Sequence, residues 1–231
     1  MRKKLRAAFE NKTWGDANVG RPRSGSGSSL EMTARLRANL PRIFDQYNIK
    51  TFLDAPCGDW FWMQHVDLTG INYIGGDISS EVVAENVIKF HRPELHFMHL
   101  DITGDPLPKA DLMMCRDCLM HLKPRLKWRF LENFVTSETP YLMTTVHHVL
   151  MNRVVKANGE FRRFNPMVAP FNFAPPLELI PETAEMLDAD ILENRLNAPE
   201  HRSVGIWSRD QVIAAISNRP AITPAIADTA D

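Results

Sequence analysis

The chain has 231 residues, enough for one medium domain with short arms, and its 44% hydrophobic content can fill a sizeable core. With 27 basic and 28 acidic residues the formal charge is −1, so no global field gathers nucleic acid or acidic lipid. No apolar run of about 18 residues exists to cross a bilayer, the first twenty residues lack a signal-peptide core, and three cysteines do not make a disulfide framework. The expected address is the cytoplasm, with no membrane or nucleic-acid partner; composition does not speak to oligomeric state.

Residues 1–29 form a polar arm that opens on a basic cluster (Arg2, Lys3, Lys4, Arg6) and closes on Arg23-Ser24-Gly25-Ser26-Gly27-Ser28-Ser29. The Ser/Gly stretch reads as a flexible linker or as a lid element that orders over a ligand. From residue 30 a domain is expected to run to 218. Leu30, Ala34, Leu36, Leu40 and Phe44 recur near helical spacing, with Ser28 or Ser29 as N-cap. A buried strand, Thr51-Phe52-Leu53, then enters the tight turn Asp54-Ala55-Pro56-Cys57-Gly58-Asp59.

Further strands are predicted at 73–77, 95–100, 111–115 and 141–146, with helices at 79–91 and 122–135 between them. Residues 147–180 break this rhythm with Pro166, Pro170, Pro175 and Pro176 among Phe161, Phe164, Phe171 and Phe173. They read as a loop-rich insertion able to wall an acceptor pocket. A last strand is expected at 204–207 and a helix from Asp210; the tail 219–231 is expected to be loose. Strands alternating with helices imply right-handed crossovers and a parallel sheet, with any ligand beyond the carboxyl ends of the strands.

Acidic residues recur at those ends. Asp54 follows the first strand, Asp77 ends the second 23 residues later, Asp101 ends the third and Asp117 follows the fourth. Gly58 lets backbone approach a ligand closely. An acid about 20 residues onward suits a pair of ribose hydroxyls, and one at the third strand end can orient an adenine amine. Any single acid of this kind also serves as a turn former or cap; it is the ordered recurrence that carries the reading.

Leu53-Asp54-Ala55-Pro56-Cys57-Gly58-Asp59, Gly76-Asp77-Ile78, Leu100-Asp101-Ile102 and Cys115-Arg116-Asp117-Cys118-Leu119-Met120-His121-Leu122 together resemble the motifs of class I S-adenosylmethionine (SAM)-dependent methyltransferases. More narrowly, the chain is similar to a bacterial subfamily with an Asp-Ala-Pro-Cys-Gly-Asp turn, a Cys-Arg-Asp-Cys segment and a preceding Ser-Gly-Ser-Gly-Ser element. The resemblance spans roughly residues 14–210. It implies a Rossmann-like α/β fold: a mostly parallel twisted sheet, helices on both faces and an antiparallel final strand. It implies SAM as cofactor, held by Asp54, Ala55, Pro56, Cys57, Gly58, Asp77, Ile78, Asp101, Ile102 and Arg116. Pro56 and Trp60 stand where the family's first motif has its outer glycines, so Trp60 puts a bulky ring on the expected cofactor path. The same loss argues against a dinucleotide enzyme, whose pyrophosphate needs that close approach.

Methylation of a small-molecule or glycan oxygen or nitrogen is the expected reaction. An oxygen acceptor needs a base, and Asp117, His121 and His147 lie near the ends of the fourth and fifth strands. Base duty falls to Asp117 or His147. His148, Asn152, Arg162 and Asn165 are the expected acceptor-binding residues, suited to a phosphate, carboxylate or polyol. Cys115 and Cys118 form a C-x-x-C, but no second pair accompanies it, so buried thiols are expected and no metal. A cofactor-binding regulatory protein without catalysis is the competing reading; a nucleotide-sugar or nicotinamide enzyme of the same fold is a third.

Overall fold

The computed structural model describes residues 22–182 and 198–220. The basic cluster at the start of the arm and nearly all of the 219–231 tail lie outside the described residues. Among the described residues, seven strands and four helices follow in chain order: α1 (Ala34–Gln46), β1 (Thr51–Asp54), β2 (Asn72–Asp77), α2 (Ser80–Lys89), β3 (Leu95–His99), β4 (Leu112–Cys115), α3 (Pro124–Thr136), β5 (Tyr141–His148), β6 (Glu178–Pro181), β7 (Ala198–Ser208) and α4 (Arg209–Ser217). They make one sheet of order β3-β2-β1-β4-β5-β7-β6. The first five strands in this order are parallel; β7 runs antiparallel to β5, and β6 antiparallel to β7. The strand order reverses beside β1, between β1 and β4, where ligands of such sheets lie.

Side-chain alternation splits the core in two. Leu53, Met113, Leu142, Val146 and Trp207 point to one face, beneath Phe130 and Phe134 of α3 and Val212 of α4. Phe52, Leu112, Met114, Met143, Val204 and Ile206 point to the other, beneath Leu36, Leu40, Ile43 and Phe44 of α1. Covered on both faces, β4 reads as an unbroken buried run, Leu112-Met113-Met114-Cys115. Helix starts follow local rules: Pro124 opens α3, Ser79 Oγ accepts from Val82 N–H at α2, and Ser208 with Gln211 closes a capping box at α4.

Three expectations need correction. Helix α1 starts at Ala34 rather than Leu30, because Ser29 closes a separate turn by accepting from Met32 N–H and Thr33 N–H. The expected insertion contains β6, a short edge strand ended by Pro181, a residue that edge strands tolerate. Strand β7 is longer than expected, running back past Arg202 to pair with His147 and His148 across a bulge. Within 147–180, Phe164, Phe171 and Phe173 are core side chains. The buried ammonium of Lys127 sits 4.5 Å from the Phe164 ring and 5.9 Å from that of Phe171, fastening this segment to α3. Among the described residues no helix is long and apolar enough to cross a membrane.

Candidate functional site

A cavity of about 660 Å³ opens beyond the carboxyl ends of β1, β2, β4 and β5, within the size range of small-molecule sites. Its floor is the turn after β1. Gly58 has φ +55°, donates its N–H to Asp77 Oδ2 at 3.0 Å and lends its carbonyl to Asn86 Nδ2 at 2.8 Å. A side chain on Gly58 would be strained there and would stand 3.2 Å from Ser24 Cβ. Asp77 Oδ1 accepts from Ser79 N–H, so the turn and the head of α2 are organised around one carboxylate. Burial pushes the Asp77 carboxyl above its usual value.

Trp60 does not line the cavity. It adopts φ +55° and packs its ring among Phe90, Tyr73 and Phe97 at centroid distances of 4.7, 5.6 and 5.6 Å, within the core under α1. Asp54, at the cavity's base, accepts from the Tyr73 hydroxyl at 2.7 Å; burial raises its carboxyl to about 7 despite that bond and Arg116 nearby. Asp101 lines the third side and accepts from both Thr103 N–H and Thr103 Oγ. Pro56, Cys57, Ile78 and Ile102 line the cavity too, whereas Ala55 is core. Burial lifts the Cys57 and Cys115 thiols well above the ordinary thiol range, which makes them poor nucleophiles.

The Ser/Gly arm forms one wall. Arg23 pairs with Glu85 at 2.8 Å, and Asp59 accepts from Arg23 N–H and Ser24 Oγ. A 3₁₀ turn, Ser26–Ser28, then carries the Gly27 carbonyl to Arg116, whose Nη2 donates to it at 2.7 Å. Gly27 has no room for a side chain: a Cβ would come within 2.7 Å of Asp117 Oδ2.

Arg116 belongs to a buried ion network. Its Nε donates to Glu182 Oε1 at 2.7 Å and its Nη1 lies 3.2 Å from Asp117 Oδ2. Arg202 Nη1 donates to the same Asp117 oxygen at 2.8 Å. Arg202 Nε is also 2.7 Å from Glu182 Oε2, an electrostatic contact rather than an aligned hydrogen bond. Glu182 is wholly buried between the two arginines. The Trp62 ring packs against Arg116 at 5.4 Å. Asp117 has φ +50°, held by Thr145 Oγ, which accepts from its N–H. Burial alone would raise the Asp117 carboxyl, but Arg116, Arg202 and His147 hold it below its ordinary value.

Of the expected catalytic residues, Asp117, His121 and His147 all line the cavity. His147 Nδ1 accepts from Phe164 N–H at 3.3 Å, which assigns the neutral ring's proton to Nε2. Burial lowers this imidazole to about 4, so it stays neutral near pH 7. Phe161, half exposed, lies against both histidine rings, 5.8 Å from His121 and 5.7 Å from His147.

The four expected acceptor-binding residues do not line the cavity. His148 is buried against Ser203 Oγ at 2.9 Å. Asn152 donates to the carbonyls of Asn165, Val168 and Ala169, and Asn165 donates to that of Val149, so both amides fold the loop on itself. Arg162 pairs with Glu160 and donates to the Phe161 carbonyl. Sequence reasoning missed Glu182 and Arg202. The signal was alternation: Arg116 follows Met114, Glu182 follows Ile180 and Arg202 precedes Val204, each two residues from the same core face.

No family model and no curated protein matches the chain. Solved structures do match in fold. An N-methyltransferase, NodS, from Bradyrhizobium japonicum WM9 in complex with S-adenosyl-L-homocysteine is 11% identical over 89% of this chain and 98% of its own, with a TM-score of 0.60. Magnesium protoporphyrin IX methyltransferase from Synechocystis PCC 6803, with bound SAM, is 12% identical over 90% and 96%, at 0.53. Human N-acetylserotonin methyltransferase in complex with SAM is 15% identical over 78% of this chain but only 53% of its own, at 0.52; the chain spans about half the length of that enzyme. The fold is therefore the Rossmann-like methyltransferase fold, with the antiparallel strands at one side of a mostly parallel sheet.

Proposed function

We propose that this chain is a SAM-dependent methyltransferase acting on a small acceptor. The observation that carries the reading is that the Gly58 turn and the Asp77 carboxylate face one cavity and are hydrogen-bonded to each other. Asp77 keeps acceptor lone pairs beyond those used by Gly58 and Ser79, which suits ribose hydroxyls. Asp101 and Ile102 bound the adenine side, and the arm and Arg116 the amino-acid side. When bound, SAM supplies an electrophilic methyl carbon whose bonding pair leaves with the sulfur, so the protein's work is positioning.

Asp117, held low and engaged by two arginines, and His147, a neutral Nε2–H tautomer, orient an acceptor better than they deprotonate it. His121, on the same wall and more open than His147, is the base this arrangement favours for an oxygen acceptor. The experiment is ligand-dependent unfolding. SAM and S-adenosylhomocysteine at 100 times their dissociation constants should each add about 2.7 kcal/mol of stability, while NAD and ATP should add none. Equal stabilisation by NAD would instead favour a dinucleotide enzyme.

A further inference from the structure

We infer that the acceptor is a neutral, planar aromatic compound bearing a hydroxyl, seated against Phe161 between His121 and His147. The inference rests on the methyltransferase reading and names the acceptor class that reading leaves open.

Phe161 is a large aromatic side chain left 48% exposed at the cavity wall. It is not a loose loop residue. Gly159 N–H donates to the His121 carbonyl at 2.8 Å, and Arg162 N–H to the Met120 carbonyl at 3.1 Å, so backbone bonds hold Phe161 from both sides. The rings of His121 and His147 complete a three-ring wall, with Cys118, Met120 and Leu122 as its apolar lining. Offset and edge-to-face contacts of such rings favour a flat π-system.

The charges at this end are already committed. Asp117 is held by Arg116 and Arg202, and both arginines also meet Glu182. An anionic acceptor would have to compete with the buried Glu182 and the half-buried Asp117 for the same guanidinium groups. A glycan needs many polar partners, yet Asn152 and Asn165 spend their amides on loop carbonyls and Arg162 is turned to Glu160. What remains is aromatic surface, the Nε2–H of His147 as a donor, and His121 to take the hydroxyl proton.

The test is calorimetric binding of three probes to the full chain saturated with S-adenosylhomocysteine: 2-naphthol, 2-naphthoate and methyl α-D-glucopyranoside. Naphthol should bind more tightly than naphthoate, and the glucoside should not bind. Phe161→Ala should weaken naphthol about tenfold and Phe161→Trp should restore it, with stabilisation by S-adenosylhomocysteine unchanged in both variants. Tighter naphthoate binding, glucoside binding without naphthol, or naphthol binding indifferent to Phe161→Ala each overturns the inference while leaving the cofactor reading intact. Absence of any stabilisation by S-adenosylhomocysteine overturns both.

Discussion

The two halves of the cavity are built differently. Over β1, β2 and β3 the site is made of strand ends and the turns that follow them: Asp54, Gly58, Asp77 and Asp101 take their partners from within a few residues, from the adjacent strand or from the helix that follows it. Over β4, β5, β6 and β7 it is made of groups from distant parts of the sequence: the Gly27 carbonyl and the side chains of Arg116, Asp117, Glu182 and Arg202 are brought together by the fold. The first half needs little but the backbone's own geometry. The second relies on buried charges whose desolvation must be offset by one another, so it should fail more abruptly when a member is removed.

The largest expected effect is on that network. Glu182→Ala leaves Arg116 and Arg202 facing each other without their shared buried carboxylate and should cost about 3–5 kcal/mol of stability, read by denaturant unfolding. A loss below about 1 kcal/mol would mean that the network is solvated and the contrast drawn above is wrong. Next comes His121→Ala, which should lower turnover about a hundredfold for an oxygen acceptor while leaving S-adenosylhomocysteine affinity unchanged. Loss of both together would make His121 part of the cofactor end.

The two halves should also pull the pH dependence of stability in opposite directions. His147 titrates at about 4 in the folded chain, below its unfolded value, so the unfolded chain takes up its proton first as pH falls. It therefore withdraws stability as pH drops from about 6.5 to about 4. Asp54 titrates at about 7, above its unfolded value, so it withdraws stability as pH rises from about 4 to about 7. Between these limits the two largely cancel. His147→Asn should uncover a profile that falls with rising pH, and Asp54→Asn one that falls with falling pH, each by about 1 kcal/mol per pH unit. Parallel profiles in the two variants would refute the assignment.

The smallest effect joins the halves. Gly27→Ala would place a methyl 2.7 Å from Asp117 Oδ2, so the arm must shift. Cofactor affinity should fall about tenfold, with a smaller loss of fold stability than Glu182→Ala, since every charge of the network is kept.

The same contrast explains what could be read from the chain. The parallel strands announce themselves as short apolar runs, and their terminal acids follow at fixed places, so Asp54, Asp77, Asp101 and Asp117 could be set around one cavity from order alone. Trp60 looked like an obstacle because spacing tells which position a residue occupies in a turn but not which way a positive φ will send its ring. Strand β6 was hidden by its shortness and by Pro181, which suits an edge and reads as a loop. Arg202 and Glu182 were missed because alternation sets only the face each side chain takes, while their meeting depends on the pairing of β6 with β7. Asn152 and Asn165 were misplaced for the converse reason: amides in a proline-rich segment have carbonyls to satisfy before any ligand.

The central claim is that the Gly58 turn and Asp77 together cradle an adenosyl group. Calorimetric titration of S-adenosylhomocysteine into the wild-type chain and into Asp77→Ala tests it most directly. The account predicts one site per chain in the wild type and a loss of about a hundredfold or more in the variant, as expected for a charged acceptor of two hydroxyls. Equal affinity in the two proteins, or no binding to either, would contradict it.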